Sequence, residues 1–430
     1  MDERRRERGL VEQTLLEPTI PSGGTLPPHV LTIRPFLWIV LGVGVGGFAF
    51  WGFLAAVFAQ ATFAFDATSA DMALLGLSLS APYALLIPFQ GMIVDRWSPK
   101  WMNLTGYLAL VAAVGAALAA DSIGWLYAAS FLVGVAFATI EPARSSLTGL
   151  LVDEDRLVQA NGTISAAFQV SLMLGTLGGG FLTDAVGTHA VYQVALGASV
   201  LAIAFNLVVP DVRQGGERPE IGVHDLAQGL RTTIRHPDLR LDLTITCLGW
   251  LAMTTFFVLE PLYIQDGLGR PESAVSFLWF THGVGAMIGA LVVSRIRRPA
   301  GLELLLVAGG VTAAGVGLVV FSTTASYPLA FLGEALMGFG FSFIFAPTLA
   351  LIQRVAGEEQ RGRVTSIFGS AQETMGIASS LVLLALGSLV IVQPTLVAAG
   401  IAVIAVGLLG LRAARRRVVA RGEAAGATHR

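Results

Sequence analysis

Long apolar runs recur along almost the whole chain, and each is long enough to cross a lipid bilayer as an α-helix. Such a helix needs about 20 mainly apolar residues, whereas a strand of a membrane barrel needs only about 10 alternating ones. Only 13% of the 430 residues are charged and 54% are hydrophobic, so a larger soluble core does not explain the runs. The sequence therefore predicts an all-α integral membrane protein.

Twelve membrane spans are predicted, separated by charged or turn-forming residues. They cover residues 36–62, 71–94, 101–120, 124–148, 158–182, 187–209, 241–263, 274–294, 301–321, 328–352, 364–388 and 394–412.

The distribution of Lys and Arg provides an independent test of this count, because basic residues near helix ends favour the cytoplasmic side. With both termini in the cytoplasm, 26 of the 27 Lys and Arg residues fall on that side, and only Arg270 falls outside. One missed span would reverse every later loop. The sequence thus predicts an even number of spans and a multi-pass protein of the plasma (cytoplasmic) membrane with both termini cytoplasmic.

The longest interior connection divides the spans into two sets of six. Leu226, Leu230 and Ile234 recur there every fourth residue, which favours an amphipathic helix on the inner membrane face; a solvated linker helix without membrane contact is the alternative. The predicted organisation is a cytoplasmic tail, a first six-helix bundle, a linker, a second bundle and a second cytoplasmic tail, at residues 1–34, 35–209, 210–240, 241–412 and 413–430.

The two halves share landmarks. A shift of 205 residues places Pro142 on Pro347 and Arg156 on Arg361, and residues 290–295 resemble residues 91–96 at a slightly different offset. These matches fall at corresponding helix ends. They indicate a duplicated unit, and hence two pseudo-symmetric bundles related by an axis along the membrane normal, which is a known transporter plan.

The loop after the second span carries Gly91-Met-Ile-Val-Asp-Arg-Trp-Ser-Pro-Lys100. This segment resembles the signature Gly-x-Leu-Ala-Asp-Arg-x-Gly-Arg-Lys of the major facilitator superfamily, with departures at Ser98 and Pro99. The resemblance implies that superfamily's twelve-helix fold and transport by alternating access. It also implies a conformational switch in which Asp95 meets the start of the eleventh span, where the helix dipole favours a carboxylate. The predicted switch residues are Gly91, Asp95, Arg96, Lys100, Arg144, Arg361 and Arg363.

Other segments resemble the drug and siderophore exporter branch of that superfamily, among them Glu141-Pro-Ala-Arg-Ser-Ser146 and Arg361-Gly-Arg363. The branch implies proton-coupled export of small amphiphilic compounds by a monomer. Two features depart from it: Thr176 replaces the proline of the antiporter motif in the fifth span, and Ser130 stands where many such antiporters carry an arginine. For the motif's glycines, Gly175, Gly179 and Gly180, a helix-packing seam is the favoured interpretation.

Few ionisable residues lie within the spans, and such residues tend to line cavities or take part in transport. Glu373, His282 and Glu334 are the candidates for proton coupling; for each, a neutral side chain satisfied by a neighbouring helix is the alternative. Glu141 and Glu260 lie nearer span ends, where they are expected to reach interfacial water.

A cargo cavity is expected to be lined by polar, aromatic and methionine side chains, which adapt to amphiphilic molecules. Plain packing is the alternative for each of them. The candidates are Gln60, Gln169, Trp250, Met253, Phe257, Trp279, Met337, Phe341 and Gln372.

Other classes of function fit the sequence less well. Lys100 is the only lysine and lies in no phosphate-binding Gly-Lys-Ser/Thr motif, and neither a His-Glu-x-x-His nor a Gly-x-Ser-x-Gly motif occurs. The lone Cys247 provides no cysteine metal cluster. We therefore expect no enzyme, no cofactor, no metal site and no nucleic-acid partner. A lysophospholipid transporter or lipid flippase of the same fold is the alternative to drug export, and a receptor or scaffold is less consistent with the retained Asp95 and Arg96.

Overall fold

The computed structural model of the protein describes residues 29–86, 97–212, 223–296 and 301–428. Within these ranges it contains thirteen α-helices and no strand, and twelve of the helices are long and apolar enough to cross a membrane. Each of the twelve coincides with one predicted span. The predicted all-α, twelve-span fold is therefore confirmed.

The helices are numbered α1 to α13 in chain order. The first six are α1 (Arg34–Phe65), α2 (Ser69–Leu86), α3 (Pro99–Leu118), α4 (Ile123–Leu151), α5 (Leu157–Val186) and α6 (Thr188–Val208). The linker helix is α7 (Val223–Arg235), and the last six are α8 (Pro237–Asp266), α9 (Ser273–Arg295), α10 (Glu303–Thr323), α11 (Tyr327–Val355), α12 (Glu358–Leu386) and α13 (Val392–Thr428).

Local chemistry explains where several helices end. After α1 the chain turns at Asp66, whose φ of 48° lies in the left-handed region. The carboxylate of Asp71 then accepts hydrogen bonds from the backbone N–H and hydroxyl of Thr68 at 2.8 and 2.6 Å, which stabilises the start of α2. Gly187, with φ of 95°, makes the one-residue turn between α5 and α6, a conformation that suits glycine.

Glycines let α9 and α11 approach each other closely. A Cβ atom on Gly338 would overlap the carbonyl oxygen of His282, and one on Gly285 would overlap that of Ala335. Close packing through small residues replaces the hydrophobic driving force that lipid does not supply between helices. The abundant glycine thus fixes the spacing of this helix pair.

The last helix is longer than its predicted span. Residues 413–428 were expected to form part of a cytoplasmic tail, but α13 continues to Thr428. This stretch is rich in alanine and arginine, which are strong helix formers. The guanidinium of Arg417 donates to the carboxylate of Asp238 at 2.8 Å and holds the extension against the start of α8.

The bundle has two ends, which we name by the linker helix. The linker end carries α7 and the first residues of α1, α3 and α5. The opposite end carries the last residues of α1, α3 and α5. One hydrophobic core near the opposite end contains buried side chains from both sets of six spans, such as Phe53 and Phe256. At the linker end, the described residues form separate cores, one around Phe36 and another around Leu351.

In the described part of the chain, side chains of the two sets also contact each other directly at the opposite end. Thr188 donates a hydrogen bond to Glu272 at 2.6 Å across the opposite end. The rings of Phe181 and Phe277 lie 5.3 Å apart, and those of Phe58 and Trp279 lie 6.1 Å apart. The described residues thus join the two sets at the opposite end.

The linker helix α7 packs against α12. The guanidinium of Arg363 donates to Gln228 at 2.6 Å, and the hydroxyl of Thr232 donates to Gln360 at 2.9 Å. Leu230 and Ile234 lie on a different face and are exposed. The side chain of Leu226, the third member of the predicted apolar stripe, lies outside the described residues.

Candidate functional site

A cluster of buried polar side chains joins α8, α9 and α11. Glu260 and Glu334 have no exposed surface, and His282 is 9% exposed. The indole N–H of Trp279 donates to Glu260 Oε2 at 2.8 Å, and His282 Nδ1 lies 3.1 Å from Glu334 Oε2. Three different helices thus bring two carboxyls and an imidazole together within apolar surroundings.

The polar atoms of this cluster are not all satisfied. Oε1 of Glu260 and Oε1 of Glu334 have no hydrogen-bond partner of good geometry among the described residues, although the two carboxyls are close enough to interact electrostatically. Holding two ionised carboxylates in such a place costs several kcal/mol per ion unless a positive charge compensates. The arrangement can therefore take up and release a proton or another cation.

Helix packing sets the position of each member. His282 lies on α9 where Gly338 of α11 contacts its backbone, so the close approach of the two helices brings Glu334 within reach of the imidazole. Trp279, one turn before His282, reaches the neighbouring helix α8 and contacts Glu260 there. The site therefore depends on Trp279 contacting α8 while His282 contacts α11.

Aromatic rings surround His282. The ring of Phe257 lies 5.6 Å from the imidazole, that of Phe341 lies 6.0 Å from it, and the indole of Trp250 lies 5.5 Å from Phe341. The structure therefore brings together four of the predicted cavity residues, Trp250, Phe257, Trp279 and Phe341, in one aromatic cluster that includes the predicted coupling residue His282.

The other cavity candidates are placed differently. Met253 and Met337 lie in the hydrophobic core, and Gln60 is buried and accepts a 2.7 Å hydrogen bond from Tyr192 of α6. These three act in packing in this conformation. Gln169 and Gln372 are partly buried on α5 and α12, and the buried Nε2 of Gln169 has no hydrogen-bond partner in the described part of the chain.

Glu373 lies apart from the buried cluster. It is partly buried on α12, which packs against α2, and it lies near Tyr83 of α2, as does Glu141 of α4. Because α12 belongs to the last six spans and α2 and α4 to the first six, this acid lies where the two sets face each other.

A second charged site lies within the first six spans. The guanidinium of Arg144 donates to the carboxylate of Glu141, one turn earlier on α4. Both side chains line a cavity of about 40 Å³ that is otherwise almost wholly apolar, with Phe50, Phe137 and Phe168 among its walls.

The predicted switch motif is only partly covered by the structure. Gly91, Asp95 and Arg96 lie outside the described residues. Lys100 donates to the carbonyl oxygen of Leu207 at 2.7 Å and lies over the ring of Trp101, which ties the start of α3 to the end of α6. The remaining predicted members, Arg144, Arg361 and Arg363, lie at or towards the linker end of α4 and α12.

The glycines of the antiporter-like segment make close helix contacts. A Cβ on Gly175 would press on the backbone of Phe48 in α1, and one on Gly180 would press on the ring of Phe277 in α9. Thr176 donates to the carbonyl of Leu172 one turn earlier, and α5 runs unbroken through the segment. In this conformation the segment packs α5 against two helices.

Sequence reasoning missed Glu260 as a site residue. It was expected to reach interfacial water because the predicted span ended at residue 263. The helix instead continues to Asp266, which places Glu260 one further turn from the surface, and it has no exposed surface. The apolar residues on both sides, Phe256 to Leu259 and Pro261 to Ile264, were the available signal.

Asp242 was missed as well. It lies near the start of α8, is fully buried, and accepts a 3.1 Å hydrogen bond from Thr348 of α11. Its position next to the predicted span boundary at residue 241 concealed this. Among the described residues, no three His, Cys, Asp or Glu side chains are arranged to hold a metal ion.

Twelve spans in two sets, with a cluster of ionisable side chains buried between helices, define a multi-span membrane transporter. Residues 36–380 match the family model described as Major Facilitator Superfamily. The chain belongs to that superfamily. The superfamily resemblance of the sequence motifs is thereby confirmed.

Curated relatives of this chain are named as lysophospholipid transporters. The chain is 28% identical over 288 residues to the lysophospholipid transporter LplT of Yersinia pestis (strain Pestoides F), a match that covers 65% of this chain and 69% of the relative. The same protein of Yersinia pseudotuberculosis serotype O:3 (strain YPIII) matches equally. These names do not support the drug and siderophore branch that the motifs suggested.

Solved structures share the fold. A point mutant of the nucleoside transporter NupG matches with a TM-score of 0.72 at 11% identity, covering 88% of this chain and 99% of that one. A POT family transporter in complex with 5-aminolevulinic acid also matches with a TM-score of 0.72, at 13% identity, covering 89% and 96%. At such identities the likeness concerns the fold alone.

Proposed function

We propose that this protein moves single-chain amphiphiles of the lysophospholipid class across a membrane by alternating access. The sequence match over 288 residues to transporters that bear this name carries the proposal. The aromatic rings beside charged groups on the inner helices supply apolar and polar contacts for such a molecule. Export of drugs or siderophore-like compounds, implied by the motif resemblance, is the competing proposal.

The two sets of six spans are proposed to move against each other as two pseudo-symmetric bundles of one monomer in the plasma membrane, with both termini in the cytoplasm. Opening the opposite end requires the Thr188–Glu272 hydrogen bond and the contact between Phe58 and Trp279 to break. The charge distribution along the sequence supports this orientation.

The buried cluster of Glu260, His282 and Glu334 is proposed to couple this movement to protons. Trp279 bonds Glu260 on one side and packs against Phe58 of the other set on the other side. A change of charge at Glu260 therefore acts on the side chain that crosses between the sets. Glu373, which lies where the sets face each other, is the further candidate for a titrating acid.

The cargo is tested with the purified protein in liposomes that carry a fluorescent lysophosphatidylethanolamine in one leaflet. Protein-dependent movement between leaflets, measured by quenching from outside, is expected. An ethidium accumulation assay on the same liposomes tests the competing proposal. Movement of ethidium without movement of the lysolipid contradicts the lipid proposal, and movement of neither contradicts both.

Coupling is tested by imposing a pH gradient on those liposomes, with a protonophore as the reference. Glu260→Gln, Glu334→Gln and His282→Ala are each expected to weaken the dependence of lysolipid movement on the gradient. The exposed Glu154→Gln is the matched control and should behave as the wild type. An unchanged gradient dependence in all three buried variants contradicts coupling through this cluster.

A further inference from the structure

The ion pair of Glu141 and Arg144 has unusual surroundings for a membrane helix. Both side chains line the cavity of about 40 Å³ bounded by α1, α3, α4 and α5, and most of the other residues that line it are apolar. Charged residues within spans are expensive, so they are kept where they perform a task.

Arg144 and Glu141 can keep their mutual hydrogen bond and still bind a ligand. One nitrogen of the Arg144 guanidinium donates to Glu141. A guanidinium has several further N–H donors in a planar fork that suits phosphate, and a carboxylate has more than one acceptor position. Each member of the pair therefore has capacity for a charge of the opposite sign.

We infer that Arg144 and Glu141 form the headgroup site for a zwitterionic lysophospholipid, an assignment that rests on the proposed function. The guanidinium of Arg144 binds the phosphate, and the carboxylate of Glu141 binds the ammonium. The two groups lie one helical turn apart on α4, so they present opposite charges side by side, as the headgroup does.

The surroundings also provide for the acyl chain. The cavity has room for part of a headgroup only, so the chain must leave it. The rings of Phe50 and Phe137 lie 5.4 Å apart, and Phe137 lies 5.8 Å from Tyr83 of α2, which forms an aromatic path out of the cavity. Tyr83 lies on α2, which packs against α12, so this path leads towards the other set of spans.

Three ligands of equal acyl length separate the contributions of the two residues. Lysophosphatidylethanolamine carries phosphate and ammonium, lysophosphatidylglycerol carries phosphate alone, and monoacylglycerol carries neither. Binding of each to the purified protein in detergent is measured by isothermal titration calorimetry. Monoacylglycerol binding also reports whether a variant retains its fold.

Arg144→Gln is expected to weaken both phosphate lipids by about tenfold or more, since a charge-assisted hydrogen bond is lost, and to leave monoacylglycerol unchanged. Glu141→Gln is expected to weaken only lysophosphatidylethanolamine, and Arg144→Lys should retain part of the phosphate affinity. Arg354→Gln is the matched control, because Arg354 is also a partly buried arginine paired with a glutamate, Glu303, but lies at the linker end of α11.

Two results overturn the assignment. Equal weakening of all three ligands by Arg144→Gln means that the pair is structural, and no weakening of any means that the headgroup binds elsewhere. In both cases wild-type lysolipid movement in liposomes leaves the proposed function standing. If the wild type neither moves nor binds either phosphate lipid, the proposed function fails and the headgroup site fails with it.

Discussion

Thr188 at the start of α6 donates a 2.6 Å hydrogen bond to Glu272, which immediately precedes α9, and so joins the two sets of spans at the opposite end of the bundle. Burial raises the pKa of Glu272 above its usual range, and the Thr188 hydrogen bond acts in the opposite direction. The contact thus joins the two sets, and its strength depends on the protonation of Glu272.

Acidification is expected to favour the joined state at this end. If Glu272 is exposed with an ordinary pKa once the sets separate, the joined state has the higher pKa and binds the proton more tightly. The contribution of Glu272 to the free energy of the joined state is complete at pH values below the ordinary pKa of a carboxyl group. It is lost as the pH rises through the raised pKa of the joined state. Glu272→Gln should remove this component of the pH response, and Thr188→Val should shift it to higher pH.

Spin labels on the exposed positions Val186 and Leu389 report the separation at the opposite end, in a chain whose Cys247 is replaced by Ser. Electron–electron resonance distances are recorded across a pH series for the wild type and both variants. Superimposable pH curves for wild type and Glu272→Gln would show that this carboxyl plays no part.

Gly338→Ala is expected to destabilise the protein, because the added methyl group would overlap the carbonyl oxygen of His282 and push α11 away from α9. Overpacking of this kind costs about 1–3 kcal/mol. Gly309→Ala in α10 is the control, since no atom lies within 4 Å of a Cβ at that position. Thermal unfolding in detergent should show a lower Tm for Gly338→Ala alone; equal Tm values would contradict the packing described.

The Thr348–Asp242 hydrogen bond between α11 and α8 is expected to matter for stability. Thr348→Val leaves a fully buried carboxyl without that donor and should cost about 1–3 kcal/mol, while Thr348→Ser should restore most of it. Thr244→Val is the control, because Thr244 is exposed and bonds only within its own helix. The same Tm for Thr348→Val and Thr244→Val would argue against this role.

The exposed side chains of the linker helix are expected to contact lipid. Nitroxide labels at Leu230 and Ile234 should be relaxed more by oxygen, which concentrates in the bilayer, than by a polar nickel chelate, and a label at Arg231 should show the reverse. Equal access of the chelate to all three positions would favour a solvated linker helix, the alternative that the sequence left open.

The number of spans could be predicted from the sequence because it depends on local properties. Lipid imposes a minimum apolar length on each helix, and charged or turn-forming residues such as those at Asp66–Asp71 interrupt it. The alternation of Lys and Arg between loops then constrained the count further. Neither argument requires knowledge of which helices touch.

Contacts within the buried cluster could not be predicted in the same way. Glu334 is 52 residues from His282, and Trp279 is 19 residues from Glu260. Whether such residues meet depends on how each helix is rotated and on glycines, such as Gly338, that let the backbones approach closely. An error of three residues in the end of α8 was enough to make Glu260 look accessible to water.

The sequence by itself determined that the chain lies in a lipid bilayer, that it has twelve membrane spans and that it carries the superfamily motifs. Apolar length and charge placement are properties of single segments. Only the tertiary structure decided that Glu260, Trp279, His282 and Glu334 form one site and that Glu141 and Arg144 line a cavity, because these relations arise where separate helices pack together.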